Sequence, residues 1–421
     1  MDNFSSELSG FYKLSIDERQ KKLQELFDLS EEELASLTGE DLDLKKYDRM
    51  IENVCGIYSL PFGIATNFRV NDKDYLVPMV IEEASVVAAA SHAAKIARKK
   101  GGFTTSNTGP VMIAQIQVVD LDCPASARVH ILHNKDEIIE LANQQDAILV
   151  KLGGGAKDVR ARVIETITGT MLIVELLVDV RDAMGANAVN TMAEAVKPLI
   201  EKISKGRVIL RILSNLAELR LVQVTAVFDS EALGGEEVVR DILHAYSFAE
   251  ADPYRAATHN KGIMNGIIAL TQATGNDTRA VEAGAHAYAS RFGKYSSLST
   301  YEINEEGNLV GTLEIPMAIG VFGGLTNVHP VAKLSKKILG VKTATELAEV
   351  ATSLGLAQNL AALRALAAEG IQKGHMSLHA RNVAAAIGAE GNEIEEIAKE
   401  MVKEGKVNTE SAMTILEKIR K

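Results

Sequence analysis

An α+β fold is what the sequence predicts: a helix-rich body interrupted by a strand-rich module and followed by a small helical C-terminal unit. Three observations predict it. β-Branched runs concentrate between Val111 and Phe228, whereas capped and alanine-rich stretches dominate on either side. The 421-residue length allows two or three domains at roughly 150 residues each. Eight prolines and no Ser/Gly tract, repeat or low-complexity segment leave no sign of a long linker, so the units are expected to pack closely.

Each element has its own signal. Ser15-Ile16-Asp17-Glu18 and Ser30-Glu31-Glu32-Glu33 read as capping boxes, Ser and Glu exchanging hydrogen bonds with each other's backbone. Two short amphipathic helices should follow, one through Leu26 and one through Leu37. Tyr75–Ile81 is apolar and suited to a strand, and Ala84–Lys100 is an alanine-rich helix stopped by Gly101-Gly102. Strands are expected at Val111–Val119, Arg128–Leu132, Met171–Val180, Arg207–Leu213 and Leu219–Phe228, with one helix among them at Asn187–Lys205. Beyond Glu236 the helices are Glu237–Glu250, Gly262–Thr274 and Arg279–Phe292. A hairpin-like stretch runs from Ser297 to Phe322, and residues 316–332 read as loop and short strand. A long alanine-rich helix covers Ala344–Glu369. The last 45 residues read as three short helices, broken near Gly388, Gly391 and Gly405.

Composition removes whole classes of function. With 45 basic and 56 acidic residues the net charge is −11, which argues against a nucleic-acid or anionic-membrane binder. Arg98-Lys99-Lys100 is too short a basic cluster to reverse that. The 47% apolar and 24% charged fractions are those of an ordinary globular protein rather than a disordered chain. Cys55 and Cys123 cannot build a disulfide framework or a four-ligand zinc site, so a reducing cytosol is expected. MDNFSSELSGFYKL lacks the basic and apolar regions of a secretory signal, and no stretch has the length and apolarity of a membrane span.

Several segments concentrate chemistry. No GxGxxG is present, so a standard dinucleotide fold is disfavoured. Gly153-Gly154-Gly155 is either a backbone cradle for phosphate or a flexible turn between helix and strand. Asp182–Asn187 joins a strand to a helix, either as an anion site or as a turn with Asn187 as N-cap. Glu82 and Glu83 sit at a strand end before a helix, as desolvated acids or as partners of the helix dipole, and Ser85 shares that ambiguity. Asp252–Gly262 gathers Arg255, His259, Asn260 and Lys261 just before an apolar helix, where a ligand carboxylate or oxyanion would be welcome. Asp277 is either part of that chemistry or the N-cap of the next helix. His375 and His379 have helical metal-ligand spacing but no third ligand nearby, so an acid–base role for one of them competes with a merely structural one.

Taken together, Glu52–Gly56, Glu82–Ser85, Asp182–Asn187, Asp252–Gly262, Thr274–Asp277 and Gly374–Met376 resemble, in order and over nearly the whole chain, the soluble class II form of 3-hydroxy-3-methylglutaryl-CoA (HMG-CoA) reductase. The resemblance implies a discontinuous large domain over 1–110 and 215–371, an inserted cofactor domain over 111–214 and a C-terminal flap over 372–421. It implies a two-step, four-electron reduction of HMG-CoA to mevalonate and CoA, or the reverse, through a mevaldyl-CoA thiohemiacetal and mevaldehyde. Glu83, Lys261, Asp277 and His375 are the implied catalytic set: Lys261 for the oxyanion, Glu83 for the proton, Asp277 bridging the two, and His375 for the departing thiolate. Arg255 would pair the HMG carboxylate, with Ser85 and Asn265 on the acyl group.

The resemblance also assigns Asp182, Met184, Gly185, Ala186, Asn187 and Asn215 to the cofactor. Asp146 falls where the family places an acid on the adenine ribose; an Asp there repels a 2′-phosphate, so NAD(H) is expected in preference to NADP(H), with no metal. A homodimer is implied, or a trimer of dimers, with sites at the subunit interface, in the cytoplasm, without nucleic acid or membrane. Two departures stand out: Ala84 replaces the usual proline between Glu83 and Ser85, and Cys55 an aliphatic residue of the dimer motif. The competing readings are a metal-dependent hydrolase using His375 and His379, and a non-catalytic helical interaction protein.

Overall fold

The computed structural model describes residues 4–38, 44–369 and 371–420, apart from the side chains of residues 46, 369 and 371–378. The chain opens with helices α1 (Ile16–Phe27), α2 (Glu31–Thr38) and α3 (Leu44–Tyr47). The first capping box is complete, Ser15 accepting from Glu18 N while Glu18 accepts from Ser15 N, and Ser30 and Glu33 repeat the exchange. Strands β1 (Phe62–Val70) and β2 (Lys73–Val80), helix α4 (Val86–Arg98) and strand β3 (Phe103–Asn107) follow.

The inserted module begins with β4 (Val111–Val119), α5 (Pro124–His133), α6 (Lys135–Asn143) and α7 (Ala147–Lys151). It continues through β5 (Gly155–Thr166), β6 (Gly169–Asp179), α8 (Ala186–Ala195), α9 (Lys197–Ser204) and β7 (Arg207–Leu213). The body resumes with β8 (Leu221–Phe228), α10 (Ser230–Leu233), α11 (Glu236–Ala251), α12 (Pro253–Ala273) and α13 (Thr278–Ala289). Then come β9 (Ser299–Ile303), β10 (Leu309–Pro316), α14 (Pro330–Leu339) and α15 (Ala344–Arg364), whose end widens into a π turn over Ala365–Glu369. Helices α16 (Ile371–Ala386), α17 (Asn392–Glu404) and α18 (Thr409–Ile419) complete the chain.

Two sheets organise these elements. One has six strands in the order β2-β1-β3-β8-β10-β9; the other has four, in the order β5-β6-β4-β7, all antiparallel. β3 and β8 are direct antiparallel neighbours, with Asn107 opposite Val222, so the two ends of the 111–213 module meet on adjacent strands. Each sheet has its own core. Phe68, Phe103, Phe228, Ile267 and Leu354 belong to one buried cluster, and Met112, Ile116, Ile131, Leu172 and Ile200 to another. The last three helices bury a third around Ile397, Met401 and Leu416.

The structure corrects several sequence expectations. Arg128–Leu132 is not a strand but part of α5: Pro124 starts the helix, and Ala127 and Ile131, four apart, form its buried stripe. The single helix expected at Asn187–Lys205 is two helices meeting at Val196, because Pro198 fits only the first turn of the second. The stretch 316–332, read as loop and short strand, ends β10 at Pro316 and starts α14 at Pro330. Helix α12 starts at Pro253 and not at Gly262, so the cation-rich segment lies on the helix itself. Strands β1, β3 and β5 had no strong apolar alternation to announce them; β5 carries Lys157, Arg160 and Arg162 on its exposed face.

Candidate active site

Helix α12 sorts its own residues. Asp252 caps it by accepting from Tyr254 N, and Pro253 pre-sets its first turn. Ala256, His259, Asn260, Ile263 and Ile267 are buried. His259 and Asn260, expected among the ligand-facing groups, point inward instead. His259 Nε2 lies 2.7 Å from Ser299 Oγ, 2.9 Å from Ser297 Oγ and 3.1 Å from Asn359 Nδ2. Asn260 bonds the backbone of Ser296 and Leu298. Burial, reinforced by the Arg255 charge, lowers the His259 pKa to about 3, so this imidazole stays neutral.

The outward groups are the chemical ones. Lys261 Nζ donates to Glu83 Oε2 at 2.7 Å, and Asn265 Nδ2, one turn further on, donates to the same oxygen at 3.4 Å. Arg255, less than two turns towards the N-terminus, is half-buried and has no carboxylate partner among the described residues. Burial depresses its pKa, the signature of a guanidinium short of counter-charge.

Glu83 comes from the turn between β2 and α4. Its last residue before the helix, Ser85, has φ 76°, a conformation uncommon for a residue with a Cβ. Ser85 Oγ is buried without a hydrogen-bond partner. A strained backbone presenting an unsatisfied hydroxyl marks a candidate functional position. Neither Glu82 nor Glu83 lies in the first turn of α4, so the dipole reading of these acids has no geometry behind it. The sequence reasoning missed Gln358, whose Oε1 is also buried and unpartnered and whose Cβ packs beside Gly266. Asn359 beside it is equally polar, so nothing in the sequence singles Gln358 out.

Asp277 does not join this group. It caps α13 by accepting from Arg279 N and Ala280 N, and it pairs with Arg279 Nη2 at 3.3 Å. Lys261 lies near the middle of α12 and Asp277 beyond its C-terminal end; the helix between Lys261 and Ala273 alone spans about 18 Å. The expected bridge between Lys261 and Glu83 is therefore absent within the chain. Asn276 Nδ2 donates to Gly320 O and its Oδ1 accepts from Gly320 N, tying the segment to the loop after β10.

That loop packs on the segment 182–187. Asp182 O accepts from Val321 N, and Ala183 forms a bridge with Phe322. A Cβ on Gly320 would lie 2.4 Å from Met184 N. Asp182 Oδ1 accepts from Ala344 N at the start of α15, so this carboxylate is spent on a helix N-terminus. Gly185, not Asn187, is the N-cap of α8; it has φ 102° and no side-chain cap bond, and a Cβ there would lie 2.4 Å from Val180 Cγ1. The first-turn amides of α8, at Ala186 and Asn187, thus face an end that no side chain closes. This is the geometry that accepts a pyrophosphate, so the residues present fit a dinucleotide.

The remaining expected positions are mixed. Gly153 N and Gly154 N donate to Val150 O and Leu149 O, so the phosphate-cradle reading fails and the turn reading holds. Asp146 is the N-cap of α7, its Oδ1 accepting from Leu149 N at 2.8 Å. Asn215 is exposed in the connection from β7 to β8, its carbonyl close against Gly284 of α13. His375 falls on α16, with its side chain outside the described residues; His379 is exposed. Among the described residues no group of three or more His, Cys, Asp or Glu converges as a metal site.

Comparison with known proteins places these features in one family. The family model described as hydroxymethylglutaryl-coenzyme A reductase matches residues 15–380. A 3-hydroxy-3-methylglutaryl-coenzyme A reductase of Archaeoglobus fulgidus is 61% identical over 99% of this chain and 95% of its own. A probable enzyme of the same name from Borreliella burgdorferi is 35% identical over 98% of this chain and 97% of its own. Among solved structures, the Streptococcus pneumoniae reductase superposes with TM-score 0.83 and 43% identity, covering 98% of this chain and 99% of that one. The class II reductase from the same organism bound to NADPH gives TM-score 0.82 and 44% identity, covering 85% and 99%.

Proposed function

The chain belongs to the hydroxymethylglutaryl-coenzyme A reductase family, and from that premise we propose that it reduces HMG-CoA to mevalonate and CoA with two molecules of reduced nicotinamide cofactor. The observation that carries the reading is the Lys261–Glu83 contact at 2.7 Å, with Arg255 on the same helix having no carboxylate partner among the described residues. The cofactor, when bound, supplies the hydride. The chain's own residues manage charge and protons. Hydride arrival leaves negative charge on the acyl oxygen, and the Lys261 ammonium stabilises it. Glu83, in contact with that ammonium, is placed to pass a proton to the same oxygen. Arg255 meets the free carboxylate of the substrate, and Ser85 Oγ and Asn265 hold the acyl portion. We assign protonation of the leaving thiolate to His375 on α16.

The separation of Asp277 and the 182–187 loop from Lys261 supports a homodimer in which a second copy brings its Asp277 and its cofactor loop to the Lys261–Glu83 pair. The segment Glu52–Gly56 supports the same reading. It lies in irregular, exposed chain beside Ile51, 66% exposed, and Tyr58, 87% exposed, apolar surface that a second copy would cover. Asp146 supports a preference for NADH over NADPH, because a carboxylate on the ribose repels a 2′-phosphate.

The test is to mix purified protein with HMG-CoA and NADH or NADPH and follow nicotinamide absorbance. Two cofactors should be oxidised per HMG-CoA consumed, faster with NADH, and Asp146→Ala should narrow the NADH-to-NADPH ratio. No oxidation with either cofactor would overturn the reading.

A further inference from the structure

We propose that Arg220 is a positioning residue for the dinucleotide, acting through the backbone of the 182–187 loop. The inference rests on the reading that this loop binds the cofactor. Arg220 ends the connection from β7 to β8 and is 4% exposed. Its Nη1 donates to Ala183 O and Met184 O, both at 3.1 Å, and its Nη2 donates to Ile319 O at 2.5 Å. Its own carbonyl accepts from Met317 N. One guanidinium thus fastens three segments: the return strand, the loop before α8 and the loop after β10.

An ordinary buried arginine is neutralised by a carboxylate within reach. Among the described residues this one hydrogen-bonds only to carbonyls. Burial lowers its pKa to about 10, against the raising effect of Asp179 at the end of β6 and Asp182 in the loop, so it remains charged at neutral pH. The charge therefore lies against the carbonyls that precede α8, with Asp179 and Asp182 acting on it without a direct ion pair among the described residues.

Two consequences follow. Two successive carbonyls turned towards Arg220 fix the peptide planes of Ala183 and Met184, and with them the left-handed turn at Gly185 that leaves the next amides facing outward. The positive charge also offsets the Asp179 and Asp182 carboxylates, which would otherwise repel a pyrophosphate. Arg220 meets the cofactor only through the loop, so its loss should appear in dinucleotide affinity rather than in chemistry.

Three variants test this, with steady-state kinetics in both substrates and dinucleotide Kd by fluorescence. Arg220→Lys keeps the charge but loses the three-way grip, and should raise dinucleotide KM and Kd about 10-fold, with kcat and HMG-CoA KM within about threefold. Arg220→Met should raise dinucleotide KM further; if it fails to fold, the lysine variant carries the test by itself. A folded lysine variant with unchanged dinucleotide KM, or with both KM values rising together, would overturn the positioning role. Asn187→Asp puts a negative charge on the exposed first turn of α8 and probes the loop reading separately. If it leaves dinucleotide KM unmoved, that reading fails and the proposal falls with it. If it raises KM while Arg220→Lys does not, only the role of Arg220 is overturned.

Discussion

Lys261 and Glu83 meet from segments far apart in sequence, and their contact is solvent-accessible: the lysine side chain is 57% exposed and the glutamate 37%. Neither is needed to fill a core, so function and folding separate cleanly here. Lys261→Ala should lower kcat at least about 100-fold while leaving the melting temperature within a few degrees of wild type. Retained turnover would remove Lys261 from the chemistry. At this scale the sequence was legible where a residue's role depends on its own chain neighbours. Asp252–Gly262 could be identified as a chemical segment, but which of its side chains face outward depends on a helix start nine residues earlier than expected. Gln358 and Arg220 were not legible, because what makes each unusual is a contact with Gly266 or with Ala183, Met184 and Ile319.

Among elements, short-range signals read well and long-range ones poorly. Capping boxes and glycine stops act within four residues and are present as expected. The strand expected at Arg128–Leu132 failed because a five-residue run with only Val129, Ile131 and Leu132 apolar fits either period, and Pro124 with the Ala127–Ile131 spacing decides for helix. One tie between elements carries a pH signature. Asp74 on β2 accepts from Arg98 Nη1 and Nη2, both at 2.8 Å, at the end of α4, and from Ser6 N. Burial pushes its pKa up, but the Arg98 and Ser6 hydrogen bonds outweigh that and hold it below the ordinary 3.8. A carboxylate depressed in the folded state contributes stability that is fully present above its unfolded pKa and is lost as pH falls through the folded one. Asp74→Asn should therefore lower stability by about 2 kcal/mol at neutral pH. It should also flatten the loss of melting temperature below pH 4; a parallel acid branch would remove Asp74 as its source.

For the whole molecule, the fold class and the presence of an inserted module were legible, because composition changes at Val111 and again after Phe228. The separation of Asp277, at the start of α13, from Lys261 on α12 was not legible, because motif order says nothing about distance. If two copies complete each site, Lys261→Ala and Asp277→Ala should each be inactive, yet co-expression should restore about a quarter of wild-type activity. That fraction is half the dimers being mixed, each with one intact site; no recovery would place the Lys261 and Asp277 of each site in one subunit. The pairing of β3 with β8 has a consequence for synthesis. β3 leaves the ribosome well before its partner, and closing the intervening loop of roughly 115 residues costs about 4 kcal/mol in chain entropy. The 111–213 sheet, with its own buried core, can form inside that interval and hold Asn107 and Val222 within reach of each other. The module that carries the 182–187 loop would then also act as the folding clamp for the sheet that carries Glu83.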